Sequence, residues 1–314
     1  MEMKHQITSQ ENNFVFLLKT SLKGISQVIL IENVITGFII LLAISISSIL
    51  LGIITLLSAV IGTLIGKSLG ADEDILNQGL FGYNSVLTGM ALALFLSGPS
   101  HWIIALAGAA ITAIFTASMM HLMKKMELPI LTFPFILTTW FMLLVSYRLT
   151  AFTLSPELVP QSLAQWELDI AGEVNWIQGS FNGVSQIFFL DNPISGALLF
   201  LAVFWADWKI GVYAILGNAV SLITSYGLGG EHSLIFIGLY GYNAILTIIA
   251  VSTFYKNEEN RFALLSGIIA ASLTVLATAS VSSWLLPFGL PTLTMPFVIV
   301  TWIFLGARKV LPLL

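Results

Sequence analysis

A chain of 314 residues that is 57% hydrophobic and only 9% charged, with a mean hydropathy of +0.95, has too little polar surface for an ordinary water-soluble globule. The composition predicts an all-α polytopic membrane protein, because apolar segments of roughly 16 to 25 residues recur and each suffices to cross a hydrocarbon core about 30 Å thick. The net charge of -4 says little about partners when so few charges are present, and zero cysteines exclude disulfides, thiolate metal sites and cysteine nucleophiles.

The polar start, residues 1–13, has no short apolar core followed by a small-residue cleavage site, and reads as an N-terminal tail of the mature protein. Lys19 and Lys23 interrupt the next apolar run, and the uncharged stretch 24–31 ends at Glu32. At helical rise that stretch is roughly 12 Å long, less than half a bilayer, which predicts a half-helix. Residues 33–66 carry no charge. They would extend to about 50 Å as one helix, so two spans meeting near Ser48 to Gly52 are expected. A charged loop at 67–78, a third span at 79–97, a turn at Gly98-Pro99, a fourth span at 101–123 and a fifth at 128–147 complete the first half. Residues 148–175 hold Glu157, Glu167, Asp169 and Glu173 and form the one long polar connection, part of it expected on the membrane surface. Residues 176–314 form the second half.

The second half repeats the first. GISQVILIENVITG at 24–37 matches GVSQIFFLDNPISG at 183–196, and FGYNSVLTGMALALF at 81–95 matches YGYNAILTIIAVSTF at 240–254, both at an offset of 159. The octapeptide LPILTFPF at 128–135 returns as LPTLTMPF at 290–297, offset by 162, and matching TTW and VTW tails follow. With five full spans and one half-helix per repeat, eleven basic residues fall on the side of the N-terminus (Lys4, Lys19, Lys23, Lys67, Lys124, Lys125, Lys209, Lys256, Arg261, Arg308 and Lys309) and Arg148 alone on the other. This bias predicts cytoplasmic termini. Five spans being odd, the second repeat enters from the opposite face, and inverted repeats of this kind place their site near the midplane, where broken helices meet.

The repeated polar residues are the candidates for that site. A proline inside a helix leaves the carbonyl four residues earlier unpaired, so Pro134 and Pro296 are expected to free the carbonyls of Ile130 and Thr292 at membrane depth. Gln27 and Gln186 occupy matching positions in the half-helices, either presenting acceptors to a solute or tying the helices to their neighbours. Tyr83 and Leu87, echoed by Tyr242 and Leu246, share one helical face, a spacing that also serves plain core packing. Thr132 and Thr294 sit between the prolines, where a hydroxyl either lines a cavity or bonds back to a freed carbonyl. Glu32 and Asp191 are acids at membrane depth, functional by default, and the alternative is an N-cap at the start of the next span. His101, His121 and His232 face Asn260, Ser280 and Glu73 in the other repeat, so a symmetric histidine pore for ammonium finds no support. An intramembrane hydrolase is disfavoured, since neither G-x-S-G nor HExxH occurs; a channel for ammonia, a short amide or another small neutral solute stays open.

The doubled LPxxTxPF, with Q-x-x-x-x-[ED]-N and GYN, resembles the signature of the urea transporter family over most of the chain, from about Gly24 to Trp302. The resemblance implies two inverted repeats, each of five transmembrane helices and one half-length pore helix. It further implies a homotrimer in a bacterial inner membrane, with one urea pore per subunit, no cofactor, no metal, no nucleic-acid partner and no catalytic residue. Carried over position by position, the pore would be lined by Gln27, Gln186, Tyr83, Tyr242, Leu87, Leu246, Thr132 and Thr294. Phe189 matches an aromatic wall position three after the glutamine, and Leu30 replaces it in the first half. Glu32, Asn33, Asp191 and Asn192 would support the filter.

Overall fold

The repeat read in the sequence reappears in the boundaries of the helices. A computed structural model describes residues 2–168, 170–254 and 262–314, with side chains from residue 13 onward. The first half contains α1 (Glu2–Gln27), α2 (Val34–Ser47), α3 (Ile49–Ser68), the short α4 (Glu73–Asn77), α5 (Gly82–Phe95), α6 (His101–Lys124) and α7 (Phe133–Val145). The second contains α8 (Trp176–Ser185), α9 (Pro193–Ala206), α10 (Trp208–Gly227), the short α11 (His232–Phe236), α12 (Gly241–Thr253), α13 (Ala263–Leu285) and α14 (Met295–Ala307). The bounds of α2, α3 and α4 shifted by 159 are those of α9, α10 and α11, and α7 shifted by 162 is α14. The strands among the described residues are two-residue pieces, β1 (Leu96–Ser97) and β2 (Thr153–Leu154), paired antiparallel.

The chain is an all-α polytopic membrane protein. Four described helices are long and apolar enough to cross a bilayer, and α8 with α9 forms a further pair bent by 75°. Large apolar side chains face outward along them, with Ile49 74%, Leu50 62% and Ile223 68% exposed, as expected of a surface solvated by lipid rather than water. The break between α2 and α3 falls at Ser48, inside the expected window, and Ser48 Oγ caps α3 through the Leu51 N–H.

Two expectations are corrected. Residues 24–31 are not a separate half-helix: α1 starts at Glu2, inside the expected tail, and runs unbroken past Lys19 and Lys23 to Gln27. Lysine is a good helix former, and Lys23 finds partners at the helix end, so neither charge interrupts the backbone. Only the second copy, α8 with a short 3₁₀ turn at Gln186–Phe188, is half-length. Nor is the octapeptide helical. The helices begin only at Phe133 and Met295, placing Pro134 and Pro296 in the first turn, where a missing N–H costs nothing. The fifth span of each repeat is therefore an irregular stretch followed by a 13-residue helix, and α2, α5 and α12 are likewise short. Lys256, Arg261, Asn260 and Asp169 lie outside the described residues, as does the side chain of Lys4.

The halves are related by a two-fold exchange of contacts. Thr36, near the start of α2, donates to the Ala202 carbonyl near the end of α9, and Ser195, near the start of α9, donates to the Ala43 carbonyl near the end of α2. Equivalent helices thus run antiparallel. Close packing at the ends of α1 and α8 needs glycine twice. Gly79 (φ +77°) and Gly238 (φ +92°) turn in the left-handed region, and a Cβ there would lie 2.4 Å from Gly24 N and 2.6 Å from Asn182 C.

Candidate functional site

Two cavities flank the two-fold axis, one built around the end of α1 and one around the end of α8. The first, of about 390 Å³, is bordered by Gln27, Leu30, Tyr83 and Leu128 to Leu131, together with Phe254 from the other repeat. The second, of about 270 Å³, is bordered by Gln186, Phe189, Tyr242 and Leu290 to Leu293, with Phe95 from the other repeat. Each thus combines a glutamine, the residue three after it, a tyrosine and one octapeptide, and each is closed by a ring from the opposite half.

Four residues here hold left-handed backbone without being glycine: Leu30 (φ 60°), Phe189 (φ 57°), Leu131 and Leu293 (both φ 50°). Such conformations cost about 1–3 kcal/mol each and persist where the surroundings over-determine them, commonly at functional sites. Leu30 and Phe189 occupy the turn that stops the helix, where glycine or asparagine is usual. The Leu30 N–H donates to the Gln27 carbonyl and the Ile31 N–H to that of Ser26; Phe189 and Leu190 repeat the pattern on Gln186 and Ser185. An apolar side chain at this turn is thereby presented to the cavity.

The octapeptides are held by GYN. Tyr83 Oη donates to the Leu131 carbonyl at 2.7 Å and Asn84 Nδ2 to the same oxygen at 3.3 Å, while Asn84 Oδ1 accepts from the Phe135 N–H at 3.3 Å. Tyr242 and Asn243 do the same with Leu293, at 2.6 and 3.2 Å, and with Phe297 at 3.3 Å. The carbonyls in use are therefore those of Leu131 and Leu293, one residue beyond the expected Ile130 and Thr292. The left-handed turn aims them at the tyrosines, and the Ile130 carbonyl instead closes a turn with the Phe133 N–H. The tails join the halves: Trp140 Nε1 donates to the Pro291 carbonyl at 2.9 Å and Trp302 Nε1 to that of Pro129 at 2.8 Å.

Thr132 and Thr294 meet on the axis, their hydroxyls 2.6 Å apart. Both are buried, and they bond to each other rather than back to a carbonyl. They follow Leu131 and Leu293, which line the two cavities, but themselves border neither. Leu87 and Leu246 are buried in the core one turn beyond the tyrosines and border neither cavity. Gln27 Nε2 donates to the Gln78 carbonyl at 3.0 Å, leaving its oxygen as an acceptor; among the described residues no partner holds the Gln186 amide. Phe95 and Phe254 escaped the sequence reading. The signal was present, since phenylalanine closes both copies of the GYN block, but nothing local says that each ring crosses to the other half.

Neither acid acts as an N-cap. Asn33 Oδ1 accepts from the Thr36 N–H, and Asn192 Oδ1 from the Ile194 and Ser195 N–H groups. Glu32 pairs with Lys23 Nζ at 2.7 Å, and the same ammonium donates to the Asn77 carbonyl. In the second half Asn182 takes the place of Lys23, donating to Asp191 Oδ1 and the Phe236 carbonyl, both at 3.2 Å. The Glu32 side chain is 42% exposed, and ion pairs this open contribute about 0–1 kcal/mol. Glu32→Gln and Asp191→Asn keep an acceptor oxygen, so each is expected to shift stability by no more than about 1 kcal/mol. Denaturation midpoints in detergent check this, and a loss well beyond that in either variant would instead make the carboxylate charge a structural anchor.

The sequence profile described as Urea transporter matches residues 18–309. The chain belongs to the urea transporter family. Urea transporter 1 of Ovis aries is 27% identical over 289 residues, covering 90% of this chain and 75% of that protein. Urea transporter 1 of Rattus norvegicus is 27% identical and that of Mus musculus 26%, each over 291 residues with the same coverage. Membership in the urea transporter family supports urea as the solute and a membrane transport role rather than catalysis. These relatives are mammalian and lend no support to the expected bacterial origin.

Proposed function

We propose that the protein is a passive, selective urea channel whose filter is the pair of cavities joined at Thr132 and Thr294. The observation that carries this reading is the symmetric construction of the cavities. Each offers acceptor oxygens along one edge and apolar side chains for walls, with four strained residues holding them in place. Urea is flat and neutral, with four N–H donors and one carbonyl, and stripping its water without replacement costs several kcal/mol. Glutamine oxygens and the threonine hydroxyls supply replacement acceptors, while Leu30, Phe189, Phe95 and Phe254 face the planar molecule. A small ion finds no compensating charge at the threonine pair. We further infer a homotrimer with one pore per subunit in a plasma membrane, both termini cytoplasmic; the charge bias supports the orientation.

The test is efflux from proteoliposomes containing the purified protein. Urea is expected to leave at least about tenfold faster than glycerol or sodium, a discrimination worth about 1.4 kcal/mol. Equal rates for urea and glycerol would overturn the assignment.

A further inference from the structure

The two rings that close the cavities are anchored by different means. Phe95 ends α5, and its carbonyl accepts from the Ser155 N–H at 2.8 Å, where the connecting segment pairs β2 against β1. Phe254, its counterpart, leaves α12 in an extended conformation (φ -75°, ψ 136°). There a side chain replaces the strand. Arg308, just beyond α14 and 8% exposed, donates through Nη1 to the Phe254 carbonyl at 3.0 Å, through Nη2 to the Val251 carbonyl and through Nε to the Leu314 carbonyl at 2.9 Å. In the first half Ser146 stands at the matching position and bonds only within its own turn, to the Leu143 carbonyl at 2.6 Å.

We infer that Arg308 is a positioning residue for the filter, setting the Phe254 ring as the wall of the first cavity through its grip on the end of α12; this rests on the channel reading above. The last carbonyls of a helix lack partners and carry the negative end of its dipole. A guanidinium answers several of them at once in a fixed plane, which an ammonium does not. Held at Val251 and Phe254 together, the chain leaves α12 in one direction, and the ring stays over the cavity that Gln27, Leu30 and Tyr83 border. The next residue, Lys309, pairs with Glu127 at 3.0 Å and also donates to the Met126 carbonyl, immediately before the octapeptide at Leu128. The end of α14 therefore braces two sides of one cavity.

The experiment uses the full chain in proteoliposomes, with Arg308→Gln, Arg308→Lys, Phe254→Ala and the double variant Arg308→Gln/Phe254→Ala. Arg308→Gln is expected to lower urea flux about tenfold and to narrow the ratio of urea to N-methylurea by a similar factor, with Arg308→Lys recovering little of either. Adding Arg308→Gln to Phe254→Ala should change neither quantity further, because the arginine acts through that ring. Additive losses in the double variant, or a full rescue by lysine, would overturn the inference. A second readout does not depend on urea. The chain has no cysteine, so Leu30→Cys gives one cavity thiol, and its labelling by a water-soluble maleimide should quicken severalfold when Arg308→Gln is added. An unchanged labelling rate would also overturn the positioning role. Wild-type protein that passes urea no faster than glycerol, with Leu30→Cys labelling still quickened by Arg308→Gln, would sink the urea channel and leave the anchoring of Phe254 standing.

Discussion

Thr132→Val and Thr294→Val should each cut urea flux about tenfold, the equivalent of about 1.4 kcal/mol, while destabilising the fold more as single changes than together. The hydroxyls lie 2.6 Å apart, on residues that are 1% and 4% exposed. Valine keeps the shape of threonine and removes the polar atom, so one substitution leaves the surviving hydroxyl buried and unpaired, at a cost of about 1–3 kcal/mol. Replacing both removes the orphan, and a doubly apolar pair of the same shape is nearly neutral for stability. Flux behaves differently, because in all three variants a solute crossing the join finds fewer groups to replace its water. Denaturation midpoints in detergent, compared with efflux from liposomes, separate the two effects. Unchanged flux in both single variants would confine the threonines to holding the halves together.

Asn84→Ala and Asn243→Ala are expected to be the most damaging changes within GYN. Each amide accepts from the first free N–H groups of a following helix, at Phe135 or Phe297, and donates to the strained carbonyl before it, at Leu131 or Leu293. Truncation leaves the buried N–H without a partner, which costs about 1–3 kcal/mol. It also releases a left-handed turn that is already unfavourable. The octapeptide should then relax away from the axis, separating Thr132 from Thr294 and abolishing most urea flux. Tyr83→Phe and Tyr242→Phe should be milder, because the asparagine still serves the same carbonyl. Efflux assays on protein shown to be folded check this, and near-normal flux from either asparagine variant would remove GYN from the filter's support.

Much of the architecture was legible in the sequence because it is local or periodic. Long uncharged runs are confined to a low-dielectric phase whatever their neighbours do, and the doubled blocks with offsets of 159 and 162 already implied two copies of one unit. The break at Ser48 and the matching positions of Gln27 with Gln186 and of Thr132 with Thr294 all follow from those patterns. Charge was the weaker guide: Lys23 marked a helix end to the eye, yet α1 passes through it, since a lysine stem with a carboxylate and a carbonyl in reach does not break a backbone. Tertiary structure alone decided that asparagines cap α2 and α9, that Trp140 and Trp302 cross to the opposite octapeptide, and that Phe95 and Phe254 wall the opposite cavities. The left-handed backbone at Leu30, Phe189, Leu131 and Leu293 is of the same kind. No propensity favours it in leucine or phenylalanine, and at Leu131 and Leu293 tertiary contacts hold it in place, from Tyr83 and Asn84 and from Tyr242 and Asn243, 47 to 51 positions away in the chain.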